Sequence, residues 1–154
     1  MFTSIKRLTV VLILMVSGVA TAPAIAALPI QATLYHHPGC LCCEAYARYL
    51  DKNGFSVKVI DSHDLAAVFR QQGVPDQLTS CHTMTVDGYI VLGHVPVDVV
   101  MRLLRERPKI RGISLPGMPH GSPGMGPDSR MGGPKEAPFV IMTITSPPRV
   151  YATR

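Results

Sequence analysis

The dipeptide Asp87-Gly88 is the feature that most constrains the fold of this chain. It stands between two short apolar runs, residues 81–86 and 89–92, and Asp-Gly favours the two-residue turn of a β-hairpin. The sequence therefore predicts an antiparallel strand pair in the middle of the chain. The elements on either side are expected to join a sheet that contains this pair.

Hydrophobic periodicity predicts five further elements around the hairpin. We expect strands over 31–37 and 55–60, and helices over 42–53, 64–72 and 96–107. The order is then strand, helix, strand, helix, hairpin, helix. It predicts an α/β fold in which a small mixed sheet is flanked by helices, which is the thioredoxin-like plan.

The composition changes after the last predicted helix. Residues 115 to about 138 are rich in Gly and Pro, which predicts a long loop without regular structure. We expect residues 139–145 to form a last edge strand, and residues 146–154 to be a loose tail. The loop carries Met118, Met125 and Met131.

Residues 1–26 have the pattern of a secretory signal peptide. Two basic residues are followed by a mostly apolar run over 8–19, and Ala24-Ile25-Ala26 offers small residues at the cleavage position. The apolar run is short for a membrane-spanning helix, which needs about 20 residues. We expect export, cleavage after Ala26, a mature domain over 27–145 and no membrane segment after cleavage.

The charge of the mature chain argues against nucleic acid as a partner. Cleavage removes Lys6 and Arg7 and so lowers the formal net charge of +5 by two. The remaining Lys and Arg residues form no stripe, and the chain has no Trp and few other aromatic residues. A surface on which bases could stack is therefore not expected.

All four cysteines lie in the mature part, and three of them fall within Cys40-Leu41-Cys42-Cys43. This segment is the predicted turn between the first strand and the first helix, where free N–H groups and the helix dipole stabilise a thiolate. In the thioredoxin-like plan, Cys81 faces the same turn. Thiolates are soft ligands that suit Cu(I), and they can bridge ions, so we expect a four-sulfur site for one or several copper ions.

Three residues outside the cysteine cluster are further candidate ligands. His94 stands just before the third helix, and Met118 and Met125 lie in the Gly/Pro-rich loop. Thioethers suit Cu(I) in an oxidising compartment, where thiols are at risk. The alternatives are a structural role for His94 and packing of the methionines on an apolar patch. The histidines expected to be structural or exposed are His36, His37 and His63.

Two other functions fit part of the pattern. Cys40 and Cys43 form a C-x-x-C pair, which is typical of thiol–disulfide oxidoreductases. In that case Cys42 and Cys81 would be the remaining pair. The intervening Cys42, however, invites misoxidation. Four thiolates can also hold a structural Zn(II), but three cysteines this close make a poor tetrahedral cage. Copper fits the pattern best.

Several short motifs are spread along residues 31–145. They are Cys-x-Cys-Cys, Asn53-Gly54-Phe55, Val74-Pro75, Ser80-Cys81-His82-Thr83, Asp87-Gly88-Tyr89, Gly93-His94-Val95-Pro96, Pro116-Gly117-Met118-Pro119 and Gly121-Ser122-Pro123-Gly124-Met125. Together they resemble the motifs of the CopG-type copper-resistance family, formerly a domain of unknown function. The resemblance implies a periplasmic, thioredoxin-like protein in copper tolerance, with other periplasmic copper-handling proteins as partners, and it leaves open a redox role toward the metal. It also implies copper contacts for Cys40, Cys42, Cys43 and Cys81.

Overall fold

The structure is a computed structural model that describes residues 28–127, 132–136 and 138–154. The signal peptide predicted over 1–26 lies outside the described residues, and so does Met131. The elements, in chain order, are β1 Ile30–His36, α1 Leu41–Asp51, β2 Phe55–Asp61, α2 Leu65–Gln71, a short 3-10 turn Asp76–Leu78, β3 His82–Val86, β4 Tyr89–Leu92, α3 Val97–Glu106, β5 Gly112–Ser114, β6 Val140–Thr143 and β7 Val150–Thr153.

The strands form one mixed sheet in the order β2-β1-β3-β4-β5-β6-β7. The pairs β1–β2 and β4–β5 are parallel, and the other neighbours are antiparallel. The predicted hairpin is confirmed as β3 and β4. Its turn residues Asp87 and Gly88 have φ values of 46° and 82°, as this tight type of turn requires at both positions. The predicted α/β class is thereby confirmed.

Helices cover both faces of the sheet. The apolar side chains of α1 and α3 share one large core with the sheet, in which Tyr46, Leu50 and Leu103 are fully buried. The opposite face carries a smaller core that includes Phe69 of α2 and Leu92 of β4. Successive side chains of β4 point to opposite faces of the sheet, so Val91 lies in the large core and Leu92 in the smaller one. Among the described residues, no helix is long and apolar enough to span a bilayer.

The expectation of a loose tail over 146–154 is wrong. β7 pairs with β6 and forms the edge of the sheet, so β6 is an interior strand. Phe139 and Arg154 exchange two backbone hydrogen bonds, and the Arg154 side chain donates to the carboxylate of Asp98 at 2.6 Å. Ala152 is buried against the core. A four-residue strand after two prolines gives too little alternation to be recognised from sequence.

Candidate metal centre

The cysteine motif lies where β1 turns into α1. Cys40 is the N-cap residue of α1, and its carbonyl accepts hydrogen bonds from the amides of Cys43 and Glu44 at 3.0 and 3.2 Å. The amide of Cys40 in turn donates to the carbonyl of His37 at 3.1 Å. These backbone bonds fix the motif on the first turn of the helix. Cys42 and Cys43 are buried, while Cys40 is half-buried.

Cys81 reaches the same place from the sheet. It directly precedes β3, which pairs antiparallel with β1 so that His82 lies opposite His36. The start of β3 is therefore beside the end of β1 and the turn that follows it. The structure brings together all four predicted cysteines: Cys40, Cys42, Cys43 and Cys81 have sulfur atoms within 4.8 Å of one another.

Two of the four sulfurs are joined. Cys40 and Cys43 form a disulfide, and Cys42 and Cys81 are free cysteines. The Sγ atoms of Cys40 and Cys42 are 3.5 Å apart, so the free sulfur lies against the disulfide. Reduction of that one bond yields four cysteine sulfurs that are free to bind a ligand. The number of sulfur ligands that the cluster can offer therefore depends on its oxidation state.

His94 lies beside the cysteines, as the sequence analysis proposed for a further ligand. It is fully buried just after β4, and its Nε2 atom is 3.1 Å from Sγ of Cys81. Its Nδ1 atom is 2.6 Å from the carbonyl oxygen of Pro123. A carbonyl can only accept, so Nδ1 carries the hydrogen, and Nε2 is the ring atom that faces the sulfurs. Metal-binding histidines are commonly oriented in this way.

His82, to which the sequence pattern assigned no role, also lies at the cluster. Its Nδ1 atom is 3.4 Å from Sγ of Cys81, and the donor atoms of Cys81, His82 and His94 lie within 4.8 Å of one another. Burial, followed by the charges of His94 and His36, lowers the pKa of His82 well below its usual value. The ring is thus neutral at neutral pH, which is the ligating form. In the sequence, its position directly after Cys81 is the signal that could have identified His82 as a candidate ligand.

The two free cysteines share one proton. Hydrogen bonds from Cys81, followed by those from His94, lower the pKa of Cys42 to about 4 although burial opposes this. The hydrogen bond to Cys42, followed by burial, raises the pKa of Cys81 above its usual range. Cys42 is therefore the thiolate and Cys81 the thiol at neutral pH. A thiolate is the form that binds a soft metal ion.

Tyr46 of α1 forms the inner wall of the cluster. Its hydroxyl donates to the carbonyl of Val95 at 2.8 Å, and its ring centroid lies 4.8 Å from that of His82 and 5.3 Å from that of His94. Burial raises the pKa of Tyr46, so the phenol stays protonated. The fixed aromatic ring, on the same helix as the cysteines, packs against both imidazoles and holds them in place.

The Gly/Pro/Met-rich loop packs against this site. Ser80 donates its hydroxyl to the carbonyl of Gly117 at 2.6 Å, and Pro123 accepts from His94. Gly124 has φ +84°, and a Cβ atom there would lie 2.9 Å from the amide nitrogen of Tyr46 and 3.0 Å from the carbonyl oxygen of Cys42. Only glycine allows the loop backbone to approach α1 this closely. The described part of the loop, as predicted, contains no helix or strand.

The two described methionines of the loop differ in position. Met125 is 2% exposed and belongs to the core that contains Cys42, Cys43 and Tyr46. Met118 follows the anchored Gly117 and is 45% exposed. Burial gives Met125 a packing role whether or not its sulfur also contacts a metal. The exposed thioether of Met118 is accessible from solvent.

Comparisons with known proteins agree with this site. A family described as "Protein of unknown function, DUF411" matches residues 78–125, a segment that contains Cys81 and His94 and ends at Met125. No curated protein matches the sequence. Two solved structures, "Copper resistance protein copG- Form 2" and "Form 1", are each 34% identical and cover 82% of this chain and 98% of that chain, with TM-scores of 0.72 and 0.71. The chain therefore belongs to the CopG copper-resistance family.

Proposed function

We propose that this protein binds copper in the periplasm and contributes to copper resistance by sequestering Cu(I). The observation that carries the proposal is the convergence of Cys40, Cys42, Cys43 and Cys81, whose sulfurs lie within 4.8 Å of one another. Solved members of the same family are named for copper resistance. The signal-peptide pattern over 1–26 supports the proposed export to the periplasm.

The donor set favours Cu(I) over a hard or oxygen-preferring ion. Thiolates and thioethers are soft, and the imidazoles of His82 and His94 suit copper as well. His94 is directed at the sulfurs by Pro123. A Cys-x-Cys-Cys segment cannot easily spread over three corners around one zinc ion, whereas thiolates can bridge neighbouring copper ions. We therefore propose several Cu(I) ions held by the four cysteines and His94, with Met118 and Met125 as thioether ligands.

A redox role toward copper is the second part of the proposal, and the Cys40–Cys43 disulfide supports it. When two Cu(II) ions meet the reduced pair, each ion takes one electron and becomes Cu(I). The two thiols lose two protons and form the S–S bond. Reduction of the disulfide by a dithiol donor returns the pair to its first state. In this way the same cluster binds copper and changes its charge.

The test begins with the full-length precursor, expressed and recovered from the periplasmic fraction. N-terminal sequencing is expected to give a mature chain that starts at Ala27. The protein is then reduced, loaded with Cu(I) without oxygen, dialysed and examined by metal analysis and copper X-ray absorption. We expect sulfur-dominated coordination and a short copper–copper distance. The matched control is the double variant Cys42→Ser, Cys81→Ser, which is expected to retain much less copper.

Two results would contradict the proposal. One is a reduced protein that keeps no copper after dialysis, and the other is a protein that retains zinc in the presence of excess Cu(I). Thiol–disulfide oxidoreductase activity on protein substrates is the alternative that the Cys40–Cys43 bond also favours. Insulin reduction separates the two, because strong activity that survives Cys42→Ser would favour the alternative.

A further inference from the structure

Two exposed histidines meet at the edge of the sheet beside the cysteine motif. β1 and β2 run parallel, with His36 opposite Asp61, so their carboxyl ends lie at the same edge. His37 follows β1, and His63 lies two residues beyond β2. Their rings are 6.0 Å apart, measured between centroids, and nearly perpendicular at 80°. The chain thus places two imidazoles together that are 26 positions apart in sequence.

Both rings have nitrogen atoms that can bind a ligand. His37 donates from Nδ1 to the carbonyl of Pro38 at 2.9 Å, which leaves Nε2 as the acceptor in the neutral ring. Within the described residues, the ring of His63 has no hydrogen-bond partner. Both side chains are exposed, so a ligand reaches them from solvent.

The separation of the rings matches two imidazoles on a single ion. A metal–nitrogen bond of about 2 Å places two ring centroids about 4.5 Å apart for adjacent ligands and about 6.4 Å apart for opposed ligands. The observed 6.0 Å lies inside this range. Both side chains are exposed at this separation, and imidazole is a ligand that suits copper.

The histidine pair is next to the cluster. The carbonyl of His37 accepts the hydrogen bond from the amide of Cys40 at 3.1 Å, so one residue of the pair belongs to the turn that carries the cysteines. Asp61, with a side chain that is 66% exposed, contacts His36 at 3.2 Å and adds negative charge at the same edge. A cation near this edge is therefore attracted to it.

We propose that His37 and His63 form a capture site that binds Cu(I) and passes it to the cysteine cluster. This inference rests on the proposed function, since the cluster is the destination. Two exposed imidazoles bind copper less strongly than a buried set of sulfurs, so the ion moves from the weaker site to the stronger one. No electron is exchanged, because the ion is Cu(I) in both places.

The first experiment measures the rate of loading. Reduced, metal-free protein is mixed without oxygen with a coloured Cu(I)–chelator complex, and the loss of colour is followed by stopped flow. The double variant His37→Ala, His63→Ala is expected to load about tenfold more slowly and to reach the wild-type copper content. His120→Ala is the control, because His120 is half exposed and contacts Glu136 rather than this pair. Loading of the double variant at the wild-type rate would overturn the proposal.

The second experiment uses the wild-type sequence and tests copper binding by the histidines when the cysteines cannot bind it. The cysteines of the wild-type protein are blocked by alkylation after reduction, and Cu(I) is added below one equivalent while the histidine ring protons are followed by NMR. The resonances of His37 and His63 are expected to shift first. If they stay in place while others shift, the capture site is wrong. If they shift but the unblocked protein retains no copper, the proposed function fails and delivery to the cluster fails with it, while copper binding by the histidine pair stands.

Discussion

Nε2 of His94 lies 3.1 Å from Sγ of Cys81, although the two residues are 13 positions apart in the chain. The β3–β4 hairpin produces this contact, because it pairs Thr83 with Leu92 and so places the residues flanking both strands at one end. His94 is therefore joined to the cysteine cluster on one side and to the loop at Pro123 on the other. Its imidazole is therefore one of the links between the sheet and the loop.

Replacing His94 is expected to weaken copper binding. His94→Ala removes the nitrogen beside Cys81 and the hydrogen bond to Pro123, and we expect a fall in Cu(I) affinity of about 10- to 100-fold, the usual effect of losing a group that orients or completes a metal site. Competition with a coloured Cu(I) chelator measures this directly. Circular dichroism of the variant checks that it is folded. An affinity equal to that of wild type would remove His94 from the site.

The free cysteines predict an unusual pH dependence in the copper-free disulfide form. The pKa of Cys42 is lowered from 9.0 to about 4, so one thiolate persists down to that pH. The native state releases the Cys42 proton more readily than the unfolded chain does. The contribution of the Cys42 thiolate to the free energy of unfolding is therefore fully present above pH 9.0 and is lost as the pH falls through about 4. Ultraviolet thiolate absorbance is the measurement.

The control for this titration is Cys81→Ala. Alanine has no donor to replace the Cys81 thiol, whose hydrogen bond is the largest cause of the lowered pKa of Cys42. The absorbance step of the variant is expected to move upward in pH. A wild-type step near 9.0, the ordinary value, would contradict the prediction.

Gly124 provides a test of how the loop closes on the cluster. Gly124→Ala adds a Cβ atom 2.9 Å from the amide nitrogen of Tyr46, at a φ of +84° that alanine disfavours. We expect a loss of stability of about 1–3 kcal/mol and a loss of copper affinity, because Pro123 is displaced from His94. Urea unfolding and copper titration measure both effects.

Gly126 is the matched control within the same loop. A Cβ atom there meets nothing within 4 Å, so Gly126→Ala is expected to leave both quantities near their wild-type values. Equal effects of the two substitutions would mean that the approach of the loop to α1 is not what the site needs.

Substitution of the two loop methionines is expected to distinguish a packing role from a metal-binding role. Met125 is 2% exposed, so Met125→Ala is expected to cost about 2–5 kcal/mol of folding stability in the copper-free protein. Met118 is 45% exposed, and Met118→Ala is expected to change stability by less than about 0.5 kcal/mol. Any fall in copper affinity for Met118→Ala then reports a lost ligand. Chemical denaturation and Cu(I) competition give the two numbers.

Much of the fold could be predicted because its elements are local. The hairpin followed from Asp87-Gly88, and the helices from apolar periodicity that capping signals bounded. β5 and β7 were missed for a physical reason: strands of three and four residues show almost no periodicity, and both depend on neighbours supplied by distant parts of the sheet. β7 is held by Phe139 and Asp98, which no local pattern connects to Arg154.

The candidate site was predictable where chemistry is clustered in sequence. Three cysteines within residues 40–43 indicate a metal or redox site without further context. The thioredoxin-like plan then predicts that Cys81 faces this segment. The contact of Pro123 with His94 could not be inferred, because it depends on how an irregular loop folds back on the sheet. The pairing of His37 with His63 was missed since each histidine taken alone looks like surface.

The cluster collects its groups from three separate segments, 40–43, 81–94 and 117–125, which are adjacent only in the folded chain. An ion bound there recognises the native state and not the unfolded one, and at a free concentration a hundred times its Kd it adds about 2.7 kcal/mol of stability. Proteases that cut transiently opened chains then act more slowly. The protein would accumulate as copper rises, through a longer lifetime and with no change in its synthesis.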